Sequence, residues 1–397
     1  MAIIKIAEKI YYVGVDDLKT KFFEGTWPIP NGISYNTYII QDKKVVLIEG
    51  GVSESHTREY MDLLRMVVDP SKIDIIVVNH TEPDHTGTLP ILYNVAPNAK
   101  IIVSAMGKIF LKNIYGIGDE ERIVTVKDGG SIDIGERELK FFTTPGVHWP
   151  DSMVTYETKD KILFSSDIFG TFGALNGKIF DDEIDIDFYI EEGKRYFTNI
   201  VGKFCRPAQT ALKKLSGIEI KIIAPAHGPV WRTKKEKIIE LYDKLSKYET
   251  ENKVLIIYGT MYGYTEQAIK ILTRKLTEKD IKTNTINVTL THPSYVLAEA
   301  WDSKVIVIGA PTYDGSAFLP MHSTILYIAE KMLKNKYYAI IGNYGWSGKG
   351  YKKLTERLDK LEWKLVEPVV EIKGRTTQKD IEAINQLAEN ITKTIHI

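Results

Sequence analysis

The chain has 397 residues, 52 Lys and Arg against 52 Asp and Glu, a formal net charge of zero and 44% hydrophobic residues. That length suits two or three domains with ample cores, and neither the charge balance nor any basic patch points to a nucleic-acid partner. A single cysteine, Cys205, excludes an internal disulfide and any cysteine-based zinc or iron–sulfur site.

In chain order, "MAIIKIAEKIYYVGV" is apolar but broken by Lys5, Glu8 and Lys9, so it reads as an alternating strand rather than a signal peptide. No run is long and charge-free enough to span a bilayer. The expectation is a cytoplasmic protein without a membrane partner, in keeping with the lone thiol. Short strand patterns follow in "SYNTYIIQDKKVVLIEGG" and "IDIIVVNH", with the helical "TREYMDLLRMVV" between them. From "SIDIGERELKFFTTPG" through "MVTYETKDKILFSSD" the strands look hairpin-linked, with "ETKDK" as a turn. A helical zone runs from Tyr189 to Leu215, "IKIIAPAHG" is one more strand, and "KKEKIIELYDKLSKYE" an amphipathic closing helix. This half reads as two sheets flanked by helices.

The polar "YETEN" (248–252) marks the expected domain boundary, giving 1–250 and 251–397. Beyond it strands and helices alternate regularly: "KVLIIYG", "KTNTINV", "KVIVIGA", "YYAIIG" and "KLVEPVVEI", closed by "QKDIEAINQLAENITKTI". Continuous apolar strands suit a parallel sheet buried on both faces, and the alternation predicts a small doubly wound domain.

Chemistry concentrates at strand ends. "VVNHTEPDHTG" (Val77–Gly87) packs His80, Glu82, Asp84 and His85 behind an apolar strand. If it stays extended, His80, Glu82 and Asp84 face one side, and Pro83 keeps Glu82 out of a helix. Alone, the motif reads equally well as a polar loop with Asp84 as a helix N-cap. Three further strand ends deliver His148 in "TTPGVHWPDS", Asp167 in "ILFSSDIFG" and His227 in "IIAPAHGPVW". That conjunction predicts a shared metal site, and mixed imidazole and carboxylate donors suit iron or manganese. Trp149 is either a shield for this site or plain core. His56, His292, His322 and His396 match no ligand position.

In the second half "YGTMYGYTEQ" places Thr260, Met261, Tyr262, Gly263, Tyr264 and Thr265 between the first strand and its helix. Such a turn offers neutral donors to a phosphate at a helix N-terminus, but has neither a Walker ending nor Gly-x-Gly-x-x-Gly. A mononucleotide is favoured over ATP or a dinucleotide. "GAPTYDGS" (Pro311, Thr312, Tyr313, Asp314, Gly315) and "GNYGWSGKG" (Asn343, Tyr344, Gly345, Trp346, Ser347, Gly348) end the next strands. Their aromatics suit a flat ring and their glycines a close backbone approach.

The first ligand series resembles the metallo-β-lactamase signature His-x-His-x-Asp-His followed by His, Asp and His, with Glu82 in place of the second His. The second half resembles flavodoxin. Together they are similar to the flavodiiron proteins across nearly the whole chain. The resemblance implies an N-terminal metallo-β-lactamase-like αββα sandwich and a C-terminal flavodoxin-like domain binding FMN. It implies two irons per chain, one held by His80, Glu82, His148 and Asp167, the other by Asp84, Asp167 and His227. His85 matches a position not always coordinated. The implied activity is reduction of dioxygen to water, with nitric oxide reduction to nitrous oxide as the alternative. Implied donors are rubredoxin or the reduced deazaflavin coenzyme F-420. The implied assembly is a head-to-tail homodimer, or a dimer of such dimers. No rubredoxin-like Cys pairs follow, which implies the two-domain type. Two rivals stay open at this point: a di-metal hydrolase with a regulatory flavodoxin half, and an electron-transfer module with a metal-free first half.

Overall fold

Residues 3–396 are described by a computed structural model, in which the chain divides between Asp243 and Lys244 into two units. The N-terminal strands are β1 (Ile4–Ala7), β2 (Ile10–Asp17), the short hairpin β3 (Phe22–Phe23) and β4 (Trp27–Pro28), β5 (Ile33–Gln41), β6 (Val45–Ile48), β7 (Ile75–Val78), β8 (Lys100–Ser104) and β9 (Ile123–Val126). β1, β2 and β5 to β9 form one sheet in the order β1-β2-β5-β6-β7-β8-β9. A second sheet orders β10 (Ser131–Asp133), β11 (Glu138–Thr143), β12 (Met153–Glu157), β13 (Ile162–Ser166) and β14 (Ile222–Pro225) in sequence. Its first four strands are antiparallel, as the hairpin reading expected, and β14 joins parallel to β13.

The alternation of side chains along β5 shows how the layers stack. Thr37 points to one face and its hydroxyl contacts that of Tyr60 on the helix Thr57–Val67 at 3.2 Å. Tyr38 points to the other face, where its ring meets Phe164 of β13 at 5.1 Å and its hydroxyl donates to the Pro225 carbonyl at 2.6 Å. β5 is therefore buried on both sides, between helix and opposing sheet. The expected helical zone is two helices, Ile186–Tyr196 and Cys205–Leu215, joined by a π-turn at Phe197–Val201 and a short 3-10 turn. Cys205 is buried at the start of the second helix.

In the C-terminal unit β15 (Glu251–Tyr258), β16 (Lys282–Asn287), β17 (Ser303–Tyr313), the short β18 (Ser316–Ala317), β19 (Tyr337–Tyr344), β20 (Lys364–Leu365) and β21 (Val370–Lys373) follow in order. The parallel sheet runs β16-β15-β17-β19, with β20 and β21 both on β19. This is the flavodoxin-type doubly wound order. The expected strand "KLVEPVVEI" is thus split. Pro368 has no N–H to give a ladder, and pairing resumes only at Val370. No helix among the described residues is long and apolar enough to cross a membrane.

Candidate metal centre and flavin cleft

The strand ends of both N-terminal sheets converge. His80 follows β7, His148 lies between β11 and β12, Asp167 follows β13 directly and His227 follows β14. The "HTEPDHTG" stretch is not extended throughout, as one reading expected, nor is Asp84 the N-cap. Glu82 takes the N-cap position with extended φ and ψ of −60° and 143°, and Pro83 opens a short helix to Thr86. Proline is pre-set for that first helical position. The turn swings Asp84 and His85 away from the side shared by His80 and Glu82. Ligand atoms consequently fall into groups: His80, Glu82 and His148; Asp84, His85 and His227; and His80, His85 and Asp167.

Distances give the arrangement its form. Glu82 Oε2 is 3.0 Å from His80 Nε2 and 2.9 Å from His148 Nε2. Asp84 Oδ2 is 3.2 Å from His227 Nε2. Asp167 stands between the groups. Its Oδ2 lies 3.6 Å from the Nε2 atoms of both His80 and His148, and its Oδ1 lies 3.1 Å from His85 Nε2 and 3.5 Å from His227 Nε2. Each carboxylate oxygen thus faces one group.

The imidazoles are held from behind. His80 Nδ1 is 3.2 Å from Asp151 Oδ1, His85 Nδ1 is 3.4 Å from Glu49 Oε2, and His227 Nδ1 donates to the Ser34 carbonyl at 2.8 Å. Acceptors at Nδ1 fix the tautomer that bares Nε2. Buried Asp84 Oδ1, His85 Nε2, Asp167 Oδ2 and His227 Nε2 have no hydrogen-bond partner. Orphaned buried donor-set atoms aimed at one another are costly unless a cation lies among them. The residues therefore fit a pair of metal ions. Without one, protons mediate the attraction. Burial would lower His80, yet its hydrogen bonds to Asp151 and Glu82 push the imidazole up to about 10. Burial would raise Asp167, yet the neighbouring His85 charge holds its carboxyl well below the usual range.

Aromatic rings wall the centre. Trp149 stands edge-on to His80 at 5.1 Å and to His148 at 6.2 Å, and Phe23 of the β3–β4 hairpin meets His227 at 5.7 Å. Tyr196 donates its hydroxyl to Asp167 Oδ1 at 2.8 Å. Glu24, open to solvent on one side at the hairpin tip, is raised to about 9 by desolvation and then by Glu82, Asp84 and Asp167. The sequence reading missed Glu49, Asp151, Ser34, Tyr196 and Glu24. Asp151 alone left a signal, a carboxylate three residues beyond His148.

In the C-terminal unit a cleft of about 310 Å³ opens at the ends of β15, β17 and β19. Thr260, Met261, Tyr262, Tyr264, Thr265, Pro311, Thr312, Tyr313, Asp314, Asn343, Tyr344, Gly345 and Trp346 line it. Gly263, Gly315, Ser347 and Gly348 do not line it. Gly263 sits at φ 86° before the helix Tyr264–Thr277, and Gly315 at φ 66° in the β17–β18 turn, so each shapes a loop rather than a wall. Gly374, unforeseen, joins the lining, and its carbonyl accepts from Asn343 Nδ2 at 2.8 Å. Thr260 Oγ1 accepts from Gly263 N at 3.0 Å, which curls the loop at the helix start. Tyr262 and Trp346, 82% and 81% exposed, stand as free aromatic faces beside the cleft. Neutral donors at a helix N-terminus with aromatic faces nearby fit the phosphate and ring of FMN.

These two sites define a class: a β-lactamase-like metal domain fused to a flavodoxin domain. Residues 33–228 match the family described as ODP family beta lactamase, and residues 256–385 match flavodoxin. A nitric oxide reductase of Moorella thermoacetica is 32% identical over 99% of this chain and 98% of its own. A rubredoxin-oxygen oxidoreductase of Megalodesulfovibrio gigas is 28% identical over 100% and 98%. Among solved structures, a mutant flavo di-iron protein of Thermotoga maritima superposes with a TM-score of 0.91 at 31% identity over 99% of both chains. The chain belongs to the flavodiiron protein family and is an oxidoreductase whose cofactors are FMN and a di-iron centre.

Proposed function

We propose that the protein reduces dioxygen to water in an N-terminal domain, taken as 1–250, with electrons received through FMN in a C-terminal domain, taken as 251–397. The observation that supports this most strongly is the set of orphaned, buried Nε2 and carboxylate atoms split by Asp167 into two groups. His80, Glu82 and His148 would hold one iron and Asp84, His85 and His227 the other, with Asp167 offering one carboxylate oxygen to each group. When bound, the iron pair and the flavin supply the reversible electron transfer that zinc could not. The chain's own residues do the rest. Asp151, Glu49 and the Ser34 carbonyl orient the imidazoles, and Trp149 and Phe23 limit water at the centre. Tyr196 holds a proton against Asp167 Oδ1. Nitric oxide is the second reading, favoured by the name of the Moorella thermoacetica relative. The hydrolase and metal-free alternatives leave the flavin cleft or the orphaned ligands without a purpose.

The deciding experiment gives anaerobically reduced protein either gas and follows its consumption. Faster turnover of dioxygen, with water rather than peroxide as product, supports the reading; faster turnover of nitric oxide replaces it. Rubredoxin or reduced deazaflavin coenzyme F-420 is the proposed donor, to be separated by stopped-flow reduction of the FMN. The proposed assembly is a head-to-tail homodimer, or a dimer of such dimers.

The flavin assignment has its own test. Thr265 is buried in the first turn of the helix Tyr264–Thr277. Thr265→Glu sets a carboxylate against the proposed phosphate position. Expected is near-complete loss of FMN with an unchanged far-UV CD spectrum. Stoichiometric FMN in that variant overturns the assignment of this loop.

A further inference from the structure

Behind His85 runs a chain of buried side chains that crosses from one sheet to the other. Thr155 of β12 donates its hydroxyl to Asn79 Oδ1 at 2.7 Å. Asn79, just past β7, donates Nδ2 to Glu49 Oε1 at 2.5 Å. Glu49, just past β6 and 1% exposed, reaches His85 Nδ1 with Oε2 at 3.4 Å, and Ser166 Oγ donates to the same oxygen at 3.3 Å. Each member fixes the next. Once the threonine hydroxyl donates to Asn79 Oδ1, the amide must turn its N–H toward Glu49. A carboxylate has no proton to give, so His85 Nδ1 carries one and Nε2 is the nitrogen left to a proton or a metal. Nε2 faces Asp167 Oδ1 at 3.1 Å and Asp84 Oδ2 at 3.6 Å with no hydrogen bond to either. Two carboxylates around a buried nitrogen call for positive charge at that point, which a proton or a metal ion supplies.

We infer that Glu49, oriented by Thr155 and Asn79, is the positioning residue that makes His85 a ligand of the second metal in this chain. The inference deepens the function proposed above and rests on it. Glu49→Gln tests it with little change of shape. Asn79 Nδ2 still needs an acceptor, so the glutamine turns its oxygen there and its NH2 toward His85 Nδ1. His85 Nδ1 must then accept, the proton moves to Nε2, and the lone pair facing Asp84 and Asp167 is gone.

The measurement is anaerobic titration of metal-free, FMN-loaded protein with Fe(II), read as stoichiometry, affinity and Mössbauer spectrum. Wild type is expected to bind two irons in distinguishable environments by analogy with carboxylate di-iron sites. Glu49→Gln is expected to bind the second about 10- to 100-fold more weakly and to change the spectrum of that iron alone. The same substitution in a His85→Ala background should cost nothing further, because the group it positions is absent. An equal loss in both backgrounds assigns Glu49 a purely structural part and overturns the inference, as does no loss in either. If Glu49→Gln alters the far-UV CD spectrum, Thr155→Val reads the same chain one step back. Its smaller loss must again vanish when His85 is alanine, and persistence there overturns the inference. A wild type that takes up no second iron overturns the proposed function first, before any variant is made.

Discussion

Asp167→Ala is expected to lose most of its iron and essentially all turnover while keeping its FMN. The carboxylate is buried and offers one oxygen to each ligand group, within 3.1 to 3.6 Å of the Nε2 atoms of His80, His85, His148 and His227. Removing it leaves those imidazoles with Glu82 and Asp84 but without the one carboxylate that both groups share. Breaking a buried charge cluster by removing one partner costs about 3 to 5 kcal/mol. The N-terminal unit should therefore also unfold at a lower temperature. The C-terminal unit has its own core and should keep its flavin spectrum. Iron analysis and visible absorption on the same sample check both halves of the statement. Full iron with full turnover in Asp167→Ala would falsify the bridging assignment.

The second expected result is complementation. In the proposed head-to-tail dimer the FMN of one chain serves the irons of its partner, and a two-fold axis makes two such junctions. Asp167→Ala keeps flavin and lacks irons; Thr265→Glu keeps irons and lacks flavin. Each homodimer should be inactive. A co-folded heterodimer should regain one junction, and so about half the wild-type turnover per dimer. Transfer confined within a chain predicts no recovery, since neither chain holds both cofactors. The readout is gas consumption by purified heterodimers whose iron and flavin loading has been verified. Inactive, correctly loaded heterodimers would reject transfer across the interface.

The part of the site legible in the sequence is the part built on strand ends. His80, His148, Asp167 and His227 each follow an apolar run, so their convergence is a property of the layered sheet architecture. The doubly wound character of the second unit was legible because apolar strands alternate with helices, while its strand order came only with the structure. The turn at Pro83 was harder. Proline before Asp84 serves an extended segment and a helix start alike, and the structure adopts the second. The residues behind the imidazoles left almost no trace. Glu49 and His85 are 36 residues apart and His227 and Ser34 are 193 apart, so no local spacing relates them. Tyr196 reaches Asp167 from just before a π-turn that nothing in the helical pattern announced. Pro368 was visible in "KLVEPVVEI", and its missing N–H is the reason that strand divides.

The spacing of the ligands along the chain also orders events in time. His80 and His227 lie 147 residues apart (227 − 80 = 147), on loops of opposite sheets, and His227 follows β14, which pairs parallel to β13. During synthesis the ribosome delivers His80, Glu82, Asp84 and His85 long before the last ligand emerges. Once His227 arrives, a metal shared with Asp84 would tie together a loop of 143 residues (227 − 84 = 143), whose closure is worth on the order of 5 kcal/mol as a cross-link. The metal pair would thus act as a clasp between distant stretches of the chain.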